Sequence, residues 1–126
     1  MPLTVTLKEK MPGVYVLYPV GPLDANTSPV LEKKVDYLIG EGEAKIITFD
    51  MAGVHYISSM GIRVVVKTKK QLKQRGGSLI MMNLQPQVHK VFEIINAIPS
   101  LNIFTSIEEL DDYLTEMQRQ TVHGKE

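Results

Sequence analysis

Apolar and polar residues alternate along "LTVTLKEK", and "GVYVLYPV" is rich in β-branched and aromatic residues, which predicts two early strands. "MPG" between them supplies the turn. After the loop "GPLDANTS" the apolar spacing changes from two to three and four. Leu31, Val35, Leu38 and Ile39 then fall on one side of a helix running through "VLEKKVDYLIG", opened by Ser28 and Pro29. "KIITFD" is short, largely apolar and ends in Asp50, which predicts a strand covered on both faces, and "GGSLIMMNL" repeats the form. "PQVHKVFEIINA" places Val88, Val91, Phe92 and Ile95 on one helical face. "SIEELDDYLTEM" does the same with Ile107, Leu110, Leu114 and Met117, and Ser106 and Glu109 have capping-box spacing at its start. A further short strand is expected near "LNIF". The whole is an α/β pattern, a sheet layered with helices.

One segment gives two signals. In "GIRVVVKTKKQLKQRGG" the run Val64, Val65, Val66 favours a strand, whereas Met60, Val64, Thr68 and Leu72 form an i, i+4 row that stops before Gly76-Gly77. Length favours the helix, because Ser59 to Arg75 is about three times a typical strand of roughly 5–6 residues. Ser58 and Ser59 then stand at its N-terminus. A serine there can cap the helix by accepting a bond from a free backbone N–H. It can also accept phosphate, because unpaired N–H donors and the positive end of the helix dipole favour an anion at that place.

Composition sets limits on these readings. The chain has 126 residues, of which 44% are hydrophobic, the range of one compact domain. Basic and acidic residues balance at 14 each, so net charge gives no reason to expect nucleic acid or an acidic membrane as partner. Absence of cysteine removes disulfides, thiolate catalysis and cysteine-bound zinc together. "MPLTVTLKEKMPGVYV" lacks the pattern of a signal peptide, and no apolar run reaches the length of a membrane span. A cytoplasmic protein without membrane insertion is expected. The tail after residue 118, "RQTVHGKE" at 119–126, is expected to be flexible, leaving 1–118 as the domain.

Local charge is more informative than net charge. Arg63, Lys67, Lys69, Lys70, Lys73 and Arg75 lie between Gly61 and Gly76 with no acid among them, and Arg63, Lys67 and Lys70 share a helical face. Such a face is either simply solvated or a dock for an acidic partner. No aromatic residue lies in the basic stretch to stack on bases, which disfavours direct nucleic-acid binding. Enzyme motifs are incomplete. Ser59-Met60-Gly61 ends like a nucleophile elbow, but Ile57 stands where the first glycine belongs. His55, His89 and His123 have no catalytic or metal-ligand spacing, so neither metal nor cofactor is expected.

Three blocks of the chain, "GPLDANTSPVLEKKV", "IITFDMAGVHYISSMGIRVVVKTKKQLKQRGGSLIMMNLQPQVHKVFEI" and "FTSIEELDDYL", together resemble a STAS domain of the anti-sigma factor antagonist type, from about Val14 to Leu114. The resemblance implies a single STAS-like α/β domain, a mixed β-sheet with about four helices. It implies a protein that binds rather than catalyses. The serine of the S-x-G motif, here Ser59, would be phosphorylated by a serine kinase that is also the anti-sigma factor, with Ser58 as the alternative acceptor. A serine phosphatase would reverse the modification. The unmodified form would bind the kinase through Asp24, Ser58, Met60, Gly61, Arg63 and Lys67 and so free a sigma factor. The alternative is a STAS subunit of a transporter or stress-signalling complex that is never modified. Ser58 replaces an aspartate common in the family, Met60 replaces a smaller residue, and Arg63 stands where a second glycine often occurs.

Overall fold

The computed structural model describes residues 2–95 and 106–123. Strands β1 (Thr4–Met11) and β2 (Val14–Val20) form an antiparallel hairpin closed by Pro12 and Gly13. Proline sets the first turn residue, and Gly13, with φ of 83°, supplies the positive angle that the second requires. Helix α1 (Ser28–Gly40) then carries the chain over to β3 (Ile46–Asp50), and α2 (Ser59–Gln74) carries it to β4 (Ser78–Met82). Both crossovers give parallel neighbours, so the sheet is mixed, in the order β1-β2-β3-β4. Helices α3 (Pro86–Ile95) and α4 (Ile107–His123) follow and pack on each other. The strand expected near "LNIF" falls at 101–104, outside the described residues.

The segment with two signals is a helix. Its buried residues are Gly61, Ile62, Val64, Val65, Thr68 and Leu72, a stripe wider than the i, i+4 row, so two members of the valine run are core and only Val66 faces out. Thr68 is tolerated in the core because its hydroxyl donates to the Val64 carbonyl (2.7 Å), satisfying a group that would be costly to bury unpaired. On α1, Leu31, Val35 and Leu38 are buried and Ile39 half-buried. Ser28 is the first helical residue, while Thr27 holds the capping position and commits its hydroxyl to the Pro22 carbonyl.

Register decides which side of the sheet these helices cover. Leu7, Leu17, Phe49 and Met81 are aligned across the four described strands, and Leu17, Ile47 and Phe49 are fully buried. The opposite face carries half-exposed Ile46 and Thr48, with Ile80 and Met82 exposed. The expectation that β3 and β4 are covered on both faces is therefore corrected. Parallel strands are usually sandwiched between helices, but here α1 and α2 lie over the Leu17–Phe49 side, and among the described residues β4 is the last strand of the sheet. Helix α4 begins with the Ser106 hydroxyl accepting from the Glu109 N–H (3.1 Å) and continues through His123, past residue 118. No helix among the described residues is long and apolar enough to cross a membrane.

Phe49 sits at the centre of this arrangement, on an inner strand and without solvent exposure. Phe49→Ala is expected to cost about 3–5 kcal/mol in urea unfolding, a large share of the roughly 5–15 kcal/mol typical of such domains. A loss under about 1 kcal/mol would mean that this face of the sheet is not packed as described.

Candidate functional site

The two serines owe their position to the chain on either side of them. After β3 the backbone does not turn at once into α2 but runs alongside the loop that follows β2. The Gly21 N–H donates to the Gly53 carbonyl (3.0 Å), Leu23 N–H to Tyr56 (3.0 Å) and Ser58 N–H to Leu23 (2.8 Å). Val20 with Gly53 and Leu23 with Ile57 are isolated parallel bridges in this zip. It sets the Asp24 loop beside Ser58, which is 34 positions away by number alone. Gly61 makes the approach possible. A Cβ there would lie 2.7 Å from Ile57 Cγ1 and 2.9 Å from both the Cβ and the carbonyl oxygen of Leu23.

The serines divide their tasks. Ser58 is the N-cap of α2, with extended backbone, and its Oγ accepts from the Met60 N–H at 3.2 Å. Ser59 is the first helical residue, and its Oγ is closed off from solvent with no hydrogen-bond partner among the described residues. A cap role therefore accounts for Ser58 and leaves Ser59 without one. The Ser59 N–H donates to Asp111 Oδ1 of α4 at 2.7 Å. A carboxylate at this end of α2 also meets the positive end of the helix dipole.

More of α4 is bound to the same loop. Gln118, 3% exposed, accepts from the Ile57 N–H through Oε1 (3.0 Å) and donates through Nε2 to the Ile57 carbonyl (2.8 Å) and to Leu114 (3.1 Å). The Tyr56 and Thr115 hydroxyls are 2.7 Å apart. These residues escape sequence reasoning, because a polar residue in an amphipathic helix carries no mark of a partner more than fifty positions away. Gln118 beside buried Met117 is the one legible hint, a polar residue next to the apolar stripe.

The other candidates differ in how free they are. Asp24 is half-buried and folds its own loop: Oδ1 accepts from the N–H groups of Asn26 (2.9 Å) and Thr27 (3.0 Å). Partial burial pushes the Asp24 carboxyl up, but the bonds from Thr27 and Asn26 outweigh it and hold it below the usual carboxylate value. Lys67 pairs with Glu32 of α1 (2.9 Å), which with Asp36 favours its charged form. Arg75, at the far end of α2, donates to the Ile39 carbonyl and so ties down α1. Arg63 is exposed. Met60, Arg63 and Lys67 line a recess of about 340 Å³ between α1 and α2 together with Ser28, Pro29 and Glu32. The geometry thus gathers Asp24, Ser58, Ser59, Met60 and Gly61 at one end of α2, with Arg63 and Lys67 leading away along it.

Comparison with known proteins places this arrangement among others. The STAS domain model matches residues 6–110. BtrV of Bordetella bronchiseptica, assigned as an anti-sigma factor antagonist, is 34% identical over 68% of this chain and 73% of its own. The anti-sigma-B factor antagonist of Listeria monocytogenes is 28% identical over 75% of this chain and 82% of its own. Among solved structures, the Bacillus cell fate determinant SpoIIAA in its phosphorylated form has a TM-score of 0.63 at 22% identity, over 76% of this chain and 86% of that one, a likeness of fold.

The contact at Gly61 makes a direct test of the geometry. Gly61→Ala, a good helix former on an ordinary helix, is expected here to lower unfolding stability by about 1–3 kcal/mol, because the added methyl meets the Leu23 backbone. A stabilised variant would show that the Leu23 loop is not held against α2.

Proposed function

The chain belongs to the STAS domain family, and from that premise we propose that it is an anti-sigma factor antagonist whose binding to an anti-sigma serine kinase is switched by phosphorylation of Ser59. The observation that carries the proposal is the division of labour between the serines: Ser58 caps α2, and Ser59 holds an unpartnered hydroxyl at its first residue. The anti-sigma factor antagonists among the relatives, and the phosphorylated form in which SpoIIAA has been solved, support it.

In this reading the unmodified protein docks through the end of α2, where Met60 and Gly61 lie beside the Asp24 loop and Arg63 is free to meet an acidic group. The docked kinase cannot hold its sigma factor, which is released. Phosphate on Ser59 adds about −1.5 to −2 charges in the middle of the contact. An unmatched charge in an interface costs several kcal/mol, and each ~1.4 kcal/mol is about tenfold in affinity, so one phosphate suffices to separate the partners. A serine phosphatase restores the binding form. The protein itself carries out no chemistry; transfer and hydrolysis of the phosphoryl group belong to its partners.

One observation favours a second reading, an unmodified STAS subunit in a transporter or stress-signalling assembly: the Ser59 hydroxyl is closed off from solvent. Capture from the protein's own cells separates the two. Ser59→Ala is expected to retain a serine kinase of the anti-sigma class as well as wild type, and Ser59→Glu to retain at least about tenfold less. Equal capture by both variants contradicts the switch, and a large assembly held equally by both supports the second reading.

A further inference from the structure

Helix α4 and the loop 56–59 are joined by side chains rather than by packing alone. Gln118 takes both the N–H and the carbonyl of Ile57, Thr115 meets Tyr56, and Asp111 accepts from the Ser59 N–H at 2.7 Å. The last contact sits on the residue proposed as the phosphate acceptor, and a regulatory role for α4 rests on that reading of Ser59.

The contact has two physical consequences. The first is steric. Ser59 Oγ is closed off from solvent, so a phosphoryl group bearing three oxygens needs its surroundings to move, and α4, held on the N–H of the same residue, is part of them. The second is electrostatic. A serine Oγ lies within about 3–4 Å of its own backbone nitrogen by covalent geometry, so a phosphate on it would crowd the Asp111 carboxylate held on that nitrogen. Both groups also seek the same N–H. Phosphate accepts strongly from backbone N–H at a helix start, and Asp111 already occupies the Ser59 donor.

We infer that α4 is a latch over Ser59: its docked position and a phosphate on Ser59 exclude each other through Asp111. In the transfer itself, the γ-phosphorus of a nucleoside triphosphate loses its bond to the bridging oxygen and gains one to Oγ, the hydroxyl proton passes to the kinase, and nucleoside diphosphate departs. That reaction needs Oγ in reach and places its charge beside Asp111, so it is favoured when α4 is open. Linkage then works in both directions. Opening of α4 favours modification, and modification favours the open helix, so the partner meets two differences at once, a new charge and a displaced C-terminal helix. Asp111 acts as a positioning residue, and the device regulates access to a site that the rest of the domain keeps in place.

The test uses protein carrying phosphoserine encoded at position 59 during synthesis, compared with the serine form by amide hydrogen exchange. Because no kinase is involved, a protein that is never modified in its own cells would undo the proposed function while leaving this measurement intact. Exchange across residues 107–123 is expected to rise at least about tenfold with phosphate, while β3 stays unchanged. In Asp111→Asn, which keeps an acceptor for the Ser59 N–H but not the charge, the rise caused by phosphate is expected to be clearly smaller. An unchanged α4 overturns the latch. So does an equal rise in β3, which would signify general unfolding, and an equal rise in both backgrounds overturns the role of Asp111.

Discussion

The site depends on how closely the Leu23 backbone approaches Gly61. With no side chain at Gly61, the loop after β2 lies directly on the first turn of α2, and three backbone hydrogen bonds hold it to the segment 53–58. The chain is thereby fixed on both sides of the serines. Ser58 is left in the extended conformation that an N-cap needs, and Ser59 becomes the first helical residue whatever its side chain does. The same approach brings Asp24 to the site, although that residue uses its carboxylate mainly to fold its own loop. A glycine two positions after a serine is a weak signal in a sequence. In this fold it is a steric requirement.

Much of the fold was legible because burial and periodicity agree. Leu31, Val35 and Leu38 mark the inner side of α1 in the sequence as they do in the structure, and Ser106 begins α4 with the bond its spacing implies. The strands were harder. "KIITFD" packs Ile46, Ile47 and Phe49 into one short run, which suits a strand buried on both sides, yet Ile46 and Thr48 are half-exposed. Apolar content does not distinguish a covered face from one that is merely apolar. In α2 the valine run favoured a strand and the i, i+4 row a helix, and the length of the segment weighed towards the helix that exists.

The candidate site was legible in part, and the missing part has a common cause. Basic residues along α2 stand out in the sequence as one locally basic stretch, but the structure treats them one by one. Lys67 is paired with Glu32, Arg75 ties down α1, and Arg63 is exposed. The partners lie on another helix in the first two cases. Asp111 and Thr115 were invisible for the same reason, and Gln118 nearly so, since each is an ordinary helical residue until α4 is set against the loop 56–59. Tertiary hydrogen bonds of this kind leave no periodic trace.

The central claim is that the spare hydroxyl of Ser59 is a switch. Intact-mass and fragment-ion spectrometry of the protein purified from its own cells, with Ser58 and Ser59 resolved, tests it most directly. The account predicts a fraction carrying one phosphate, on Ser59, with Ser58 unmodified because its oxygen is engaged in capping α2. Phosphate on Ser58 alone, or none under any growth condition, would contradict it.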